Sequence, residues 1–304
     1  MSIAEVYLNP SPYCFGGSCV EPEKADFLVL GVPFDATSSY RPGSREAPLA
    51  IRVAAANIEF YSMLSGVDLE EYRIGDLGDI APLGDARELV RVLADVVSAV
   101  PGKPLVVLGG EHTLTLGVYE GLVKRGRRPC MLVFDAHLDL RDEYMGMKYS
   151  HATFMRRLVE RHGHDVVFYV CTRAVSGEEL KYAERRHVRY VTPAMLRLLG
   201  TREVVRRITS WLTGCSCDSL YISVDMDAYD PAYAPGVGNP EPGGVESWIL
   251  IGLVSSVVRS SPKPVLGMDV VEVCPPYDPG GVTSVLAAKT AVEFLAAIAA
   301  RAGS

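Results

Sequence analysis

Short apolar runs recur along the chain at 27–32, 105–108, 131–134, 166–171, 220–224 and 265–268. Each is rich in Val, Leu or Ile, and most are apolar on both alternating faces. A strand with water on one face alternates apolar and polar residues. A run that is apolar throughout is buried on both sides, as in a parallel sheet. Between these runs the apolar positions take helical spacing, at 85–100, 113–124, 152–161, 177–186, 202–212, 247–259 and 283–300. Strands alternating with helices predict βαβ units and a doubly wound α/β sheet. No repeat, low-complexity tract or linker divides the chain, so residues 1–304 read as one domain. Three segments break the alternation: 35–52, 137–150 and 229–244. Each follows an apolar strand and carries Gly, Pro or Asp breakers. Loops after the C-terminal ends of parallel strands form a binding crevice, so all three point to one mouth.

Composition narrows the class. The chain has 304 residues, 48% of them hydrophobic and 22% charged, which excludes a disordered protein. Asp, Arg or Gly interrupts every long apolar stretch, so no membrane span is expected. The N-terminus, with Glu5 and no basic flank, does not read as a signal peptide, and the expected compartment is the cytoplasm. The net charge of -7, without a Lys/Arg block, argues against nucleic acid and suits a cationic small molecule. Seven cysteines leave an odd thiol, and Cys14/Cys19 and Cys215/Cys217 are close enough in sequence to bridge. Neither pair has a CxxC partner that would read as a zinc knuckle. The absence of Gln and the presence of only three Asn is a thermophile signal, which makes intracellular disulfides more plausible.

The strongest chemical signal is FDAHLD. Asp135, His137 and Asp139 stand two residues apart just past an apolar strand, a period that puts all three on one face of extended chain. Two carboxylates and an imidazole beside a buried strand are costly unless something positive compensates them. A divalent metal does so; a turn with the aspartates as helix caps is the competing reading. In ISVDMDAYDP, Asp225 and Asp227 repeat the pattern, while Asp230 before Pro231 reads as turn chemistry. In LGGEHT, His112 lies at a strand-to-helix junction, with Glu111 expected in a supporting role. The six groups His112, Asp135, His137, Asp139, Asp225 and Asp227 include four carboxylates, which balance two divalent cations. A single zinc needs only three or four ligands. Oxygen-rich ligation with some imidazole favours Mn2+, and two such ions would make a water nucleophilic near neutral pH.

These motifs in this order resemble the ureohydrolases, the arginase and agmatinase family. The likeness is carried by GGEHT, DAHLD and SVDMDAYDPAYAPGVGNPEPGG, and extends from GVPFDATSSYRPGSREAP to the C-terminal helix. It implies a three-layer α/β/α sandwich around a mostly parallel eight-stranded sheet, a binuclear Mn2+ cluster, and urea release from a guanidine. It also implies a homotrimer or homohexamer. MDVVEVCPPYD and DEYMGMKYSHATFMRR look most like agmatinases. By that resemblance Glu272 binds the guanidinium, His151 serves proton transfer or contacts the leaving amine, and Asp139 shuttles a proton. Arg41 and Arg45 match a further family segment, where their expected job is to pair carboxylates within a loop. Asn239 and Thr113 replace the family's usual Thr and Ser, and both keep polar groups.

The resemblance thus implies hydrolysis of agmatine to putrescine and urea. N1-aminopropylagmatine, arginine, guanidinobutyrate and formiminoglutamate are the alternatives within the family. Asp142 and Glu143 in the loop after Asp139 are expected to favour a cation over a carboxylate at the substrate's far end. A non-catalytic metal-binding protein on the same fold would lack one or more ligands, and none is missing. A two-metal phosphoesterase would need cations near the cluster, where Glu272 would repel phosphate. His162, His164 and His187 read as helix-end or solvated residues, and Cys274, Trp211 and Trp248 as packing.

Overall fold

The protein is described by a computed structural model covering residues 6–17 and 19–302. Its strands are β1 (Leu8–Asn9), β2 (Phe27–Val32), β3 (Tyr61–Ser62), β4 (Val67–Asp68), β5 (Ile74–Ile80), β6 (Leu105–Gly109), β7 (Pro129–Phe134), β8 (Val167–Val170), β9 (Arg189–Val191), β10 (Ser219–Asp225) and β11 (Val265–Val271). Nine form one sheet in the order β1-β5-β2-β6-β11-β10-β7-β8-β9, and β3 and β4 make a separate hairpin. The sheet therefore has nine strands where the family likeness implies eight. The extra one is the two-residue β1, paired antiparallel to β5 at the edge, and the rest pair in parallel.

Residues alternate between two cores. Phe27, Val29, Val106, Leu108, Leu132, Ile222 and Val224 face the helices Ala47–Ala55, Thr201–Gly214, Ser247–Ser260 and Val282–Ala302. Leu28, Leu30, Val32, Val107, Met131, Val133 and Tyr221 face Ala86–Ala99, Leu114–Lys124 and Phe154–His162. Both faces are covered, giving the three layers and explaining why the strand runs lack polar alternation. The C-terminal helix is long and apolar enough to cross a membrane, with a mean hydropathy of 1.6. Within that stretch 72% is buried inside the fold, which is what a core helix requires.

Three expectations are corrected. The segment 35–52 is not irregular throughout, because helix Ala47–Ala55 begins inside it. Pro48 reads as a breaker yet occupies the first turn, where its missing N–H is harmless. Strand β5 escapes the apolar signal because IGDLGDI carries two aspartates. Of the two pairs close enough in sequence to bridge, Cys14 and Cys19 do so, but Cys217 bridges Cys130 rather than Cys215. Adjacency of β7 and β10 brings that pair together, since Cys130 lies opposite Leu220.

The aspartates of β5 are held by one buried cation. Arg52 is fully buried and donates from Nε and Nη2 to Asp76 at 2.8 Å, from Nη1 to Asp79 at 2.6 Å, and to the Gly78 carbonyl at 3.0 Å. Gly31 keeps the space open, because a Cβ there would stand 1.8 Å from the Asp79 carboxylate. Removing Arg52 would leave Asp76 buried without its cation. We expect Arg52→Ala to cost about 3–5 kcal/mol, measured as a lowered denaturant midpoint. A loss below about 1 kcal/mol would show that the cluster tolerates the uncompensated charge.

Candidate metal centre

Four neighbouring strands, in the order β6, β11, β10 and β7, deliver the chemistry at their C-terminal ends. His112 follows β6, Asp135 follows β7, Asp225 ends β10 and Glu272 follows β11. Gly110 lets the β6 turn lie against Phe34, since a Cβ there would meet the Phe34 carbonyl oxygen at 1.9 Å. Asp139 and Glu272 both have left-handed backbone, φ 53 and 67, an unusual conformation for residues with side chains. Such positions persist only where the surroundings impose them, and they gather at functional sites.

Backbone amides aim three of the carboxylates. Asp135 Oδ1 accepts from His137 N at 2.6 Å, Asp225 Oδ1 from Asp227 N at 2.8 Å, and Asp227 Oδ1 from Ala136 N at 3.0 Å. Each leaves its second oxygen facing an imidazole. His112 Nδ1 lies 3.1 Å from Asp135 Oδ2, 3.4 Å from Asp139 and 3.2 Å from Asp225. His137 Nδ1 lies 3.0 Å from Asp227 Oδ2 and 3.5 Å from Asp135 Oδ1. Five of the six predicted ligands thus converge as two nests, His112–Asp135–Asp139 and Asp135–His137–Asp227, that share Asp135, and Asp225 adjoins the first through His112.

The donor set fits cations. Asp135 Oδ2 and His112 Nδ1 are buried without a hydrogen-bond partner. His112 Nε2 lies 2.8 Å from Ser223 Oγ, and Ser223 Oγ donates to Asp269 Oδ1 at 2.5 Å. The serine proton is therefore committed to Asp269, so its oxygen accepts from Nε2–H and leaves the Nδ1 lone pair aimed at the carboxylates. Protonation follows the same charge deficit. Burial, with Asp135 beside it, pushes Asp139 up to about 7. Asp225 rises through burial and the adjacent Asp227. Both imidazoles rise against the pull of burial, because carboxylates surround them.

The supporting residues are equally ordered. Glu111 is buried and accepts from Thr37 N at 2.7 Å and from the Thr37 and Thr113 hydroxyls at 2.5 Å. Thr37 accepts from His151 N at 3.1 Å, and its Oγ1 lies 3.2 Å from His151 Nδ1. Ser39 Oγ lies 3.2 Å from Nε2. Burial and the nearby His137 push His151 down to about 4, so it is neutral at physiological pH. Glu272 Oε1 accepts from His112 N at 2.8 Å; burial and Glu111 push this carboxyl up to about 8. Among the described residues no cation pairs with Glu272. Asp230 is structural, as expected, and accepts from the amides of Ala232, Gly243 and Gly244. Cys274 packs against the Arg41 and Pro42 carbonyls.

A cavity of about 440 Å³ opens over this centre, lined by Ser39, His137, Asp139, Tyr144, His151 and Glu241 among others. Asp142 and Glu143 are not in its lining. Asp142 is drawn to Arg157, 2.5 Å away, and Glu143 is exposed. Glu179 and Glu241 supply the acid at the mouth instead. Arg45 pairs with Asp35 as expected, whereas Arg41 lies over the Tyr40 and Tyr277 rings rather than on a carboxylate. His162 is not merely solvated: it lies 3.2 Å from Glu120 and beside the Tyr119 ring.

An arginase-family sequence profile matches residues 25–297. The chain belongs to the arginase family. It is 35% identical to the N(1)-aminopropylagmatine ureohydrolase of Thermococcus kodakarensis, over 84% of each chain. It is 32% identical to an agmatinase of Pyrococcus horikoshii, over 89% of this chain and 91% of that one. The agmatine ureohydrolase structure from Thermoplasma volcanium superposes with a TM-score of 0.87 at 36% identity, covering 96% of both chains. As a member of this family the chain is a hydrolase of carbon–nitrogen bonds in guanidino groups.

Ser223 and Asp269 went unread in the sequence. Ser223 shares a strand face with Asp225, two residues away, and Asp269 is a lone carboxylate in an apolar run, so the signals existed. In Asp269→Asn the amide can donate to Ser223, which frees the serine proton for Nε2 and moves the imidazole proton to Nδ1. Metal affinity should fall about 10–100-fold, read by competition with a chelator. Unchanged affinity would show that Asp269 does not set the tautomer.

Proposed function

We propose that the protein is a binuclear Mn2+ amidinohydrolase that converts agmatine and water to putrescine and urea. One ion would be held by His112, Asp135, Asp139 and Asp225, and the other by Asp135, His137, Asp225 and Asp227. Bound divalent cations supply the acidity that makes a water nucleophilic near neutral pH. The observation that carries the reading is Glu272, a buried carboxylate beside the centre with no cationic partner among the described residues. A guanidinium is the planar cation that a carboxylate can hold through two parallel hydrogen bonds. Glu272 then orients the guanidinium plane, Asp139 accepts the proton of the attacking water, and His151, neutral and reached by Ser39, passes a proton to the leaving amine.

The far end of the substrate meets charges already committed or free. Arg173 donates to the carbonyls of Asp227 at 2.7 Å, Glu241 at 2.6 Å and Cys171 at 3.2 Å. Arg141 lies 3.5 Å from Glu179 and over the Tyr144 ring. Glu241 is the lining carboxylate without a side-chain partner among the described residues. An ammonium tail suits it, and the α-carboxylate of arginine does not. N1-aminopropylagmatine is the second reading, favoured by the likeness to the Thermococcus enzyme; its longer cationic tail also suits Glu241.

Mn2+-loaded protein should release urea from agmatine or aminopropylagmatine at least about 30-fold faster than from arginine in kcat/KM, equivalent to about 2 kcal/mol. Chelation should abolish the activity, and Mn2+ should restore it. Equal turnover of arginine would overturn the substrate reading, and full activity in metal-free protein the binuclear one. A paired test separates the two carboxylates. Glu272→Gln should keep both metals yet lose about 10²-fold or more in kcat/KM for every guanidine. Glu241→Gln should keep kcat and raise KM for the cationic tail. If Glu272→Gln proves kinetically normal, its role in holding the guanidinium is wrong.

A further inference from the structure

Three cysteines meet at the opposite end of the sheet. Cys130 is the second residue of β7, Cys217 precedes β10, and both are buried and bridged to each other across 87 residues of sequence. Cys215 is a free thiol two residues from Cys217, and its Sγ lies 2.8 Å from Cys130 Sγ and 2.8 Å from Cys217 Sγ. The other free thiols, Cys171 and Cys274, are buried elsewhere. Cys215 is half-buried and lines a cleft of about 790 Å³ with Trp211, Ser216, Arg189 and Arg206. Lys263 donates from its ammonium to the Cys215 carbonyl at 3.2 Å and to that of Cys217.

We propose that Cys130, Cys215 and Cys217 form a thiol–disulfide exchange centre in which the bridge to Cys130 alternates between Cys217 and Cys215. The Cys215 thiolate attacks Cys130 Sγ. A Cys130–Cys215 bond forms, the Cys130–Cys217 bond breaks, and Cys217 leaves as a thiolate that takes up the proton Cys215 gave away. The number of disulfides is unchanged, so no external oxidant or reductant is consumed. Either bond ties β7 to the connection between helix Thr201–Gly214 and β10, so the link between the strands outlives the loss of one partner. Cys215 is also the thiol of the three that a small disulfide reaches from the cleft.

The test is chemical mapping. Wild-type protein, acid-quenched, denatured and alkylated, should carry label on both Cys215 and Cys217; label on Cys215 alone would overturn the proposal. Cys217→Ser, oxidised with glutathione disulfide, should form a Cys130–Cys215 bridge and keep two alkylatable thiols, Cys171 and Cys274. Four alkylatable thiols in that variant, with Cys130 and Cys215 both labelled, would equally sink it. The wild-type measurement stands whether or not the variant folds, and neither result depends on hydrolytic activity.

Discussion

Four carboxylates packed into the buried end of a sheet constrain everything around them. Two unit charges 4 Å apart repel by about 4 kcal/mol at an effective dielectric near 20, and burial adds the cost of lost hydration. The protein meets this in two ways. One oxygen of Asp135, Asp225 and Asp227 is fixed by a backbone amide, which offsets part of the charge and removes rotational freedom. The remaining oxygens face imidazole nitrogens in an arrangement that only positive charge makes favourable. The strand ends must hold this geometry to a fraction of an ångström, and the doubly covered sheet supplies that rigidity.

That rigidity is relayed outward along hydrogen bonds rather than through packing alone. His112 is set by Ser223 and Asp269 behind it and by Phe154 beside it, with ring centroids 4.6 Å apart. Its backbone amide in turn fixes Glu272. Glu111 performs the same service for Thr37, and through Thr37 for His151. Two buried carboxylates outside the ligand set, Asp269 and Glu111, therefore act as anchors. Each is satisfied by hydroxyl or amide donors and none by a cation.

The sequence was legible where one residue type has one physical use. Apolar runs marked six strands of the sheet, because burial on both faces admits little else. Spaced aspartates and histidines at strand ends marked the residues that converge on one centre, because a buried set of carboxylates is costly without compensating positive charge. Legibility failed where charge is buried for structure. Strand β5 hides its character behind Asp76 and Asp79, whose partner Arg52 lies on a helix 24 and 27 residues earlier. Asp142 looked like a mouth residue, but its partner Arg157 sits fifteen residues further on. Pairing of this kind depends on tertiary placement, which no local pattern encodes. Arg173 and Glu241 escaped notice for the same reason: their roles follow from which backbone carbonyls surround one and which partners the other lacks.

The two ends of the sheet carry different obligations. At the C-terminal ends of β7 and β10 stand Asp135 and Asp225, where charge is concentrated. At their N-terminal ends a covalent link ties the same two strands together through Cys130. A displacement of one strand along the other by a single residue would turn every side chain to the opposite face and scatter the carboxylates of the centre. Fixing the relative position of β7 and β10 at one end therefore protects the register on which the charged centre at the other end depends. Stability and chemistry are separated along the strands, yet the first is what allows the second to hold like charges together.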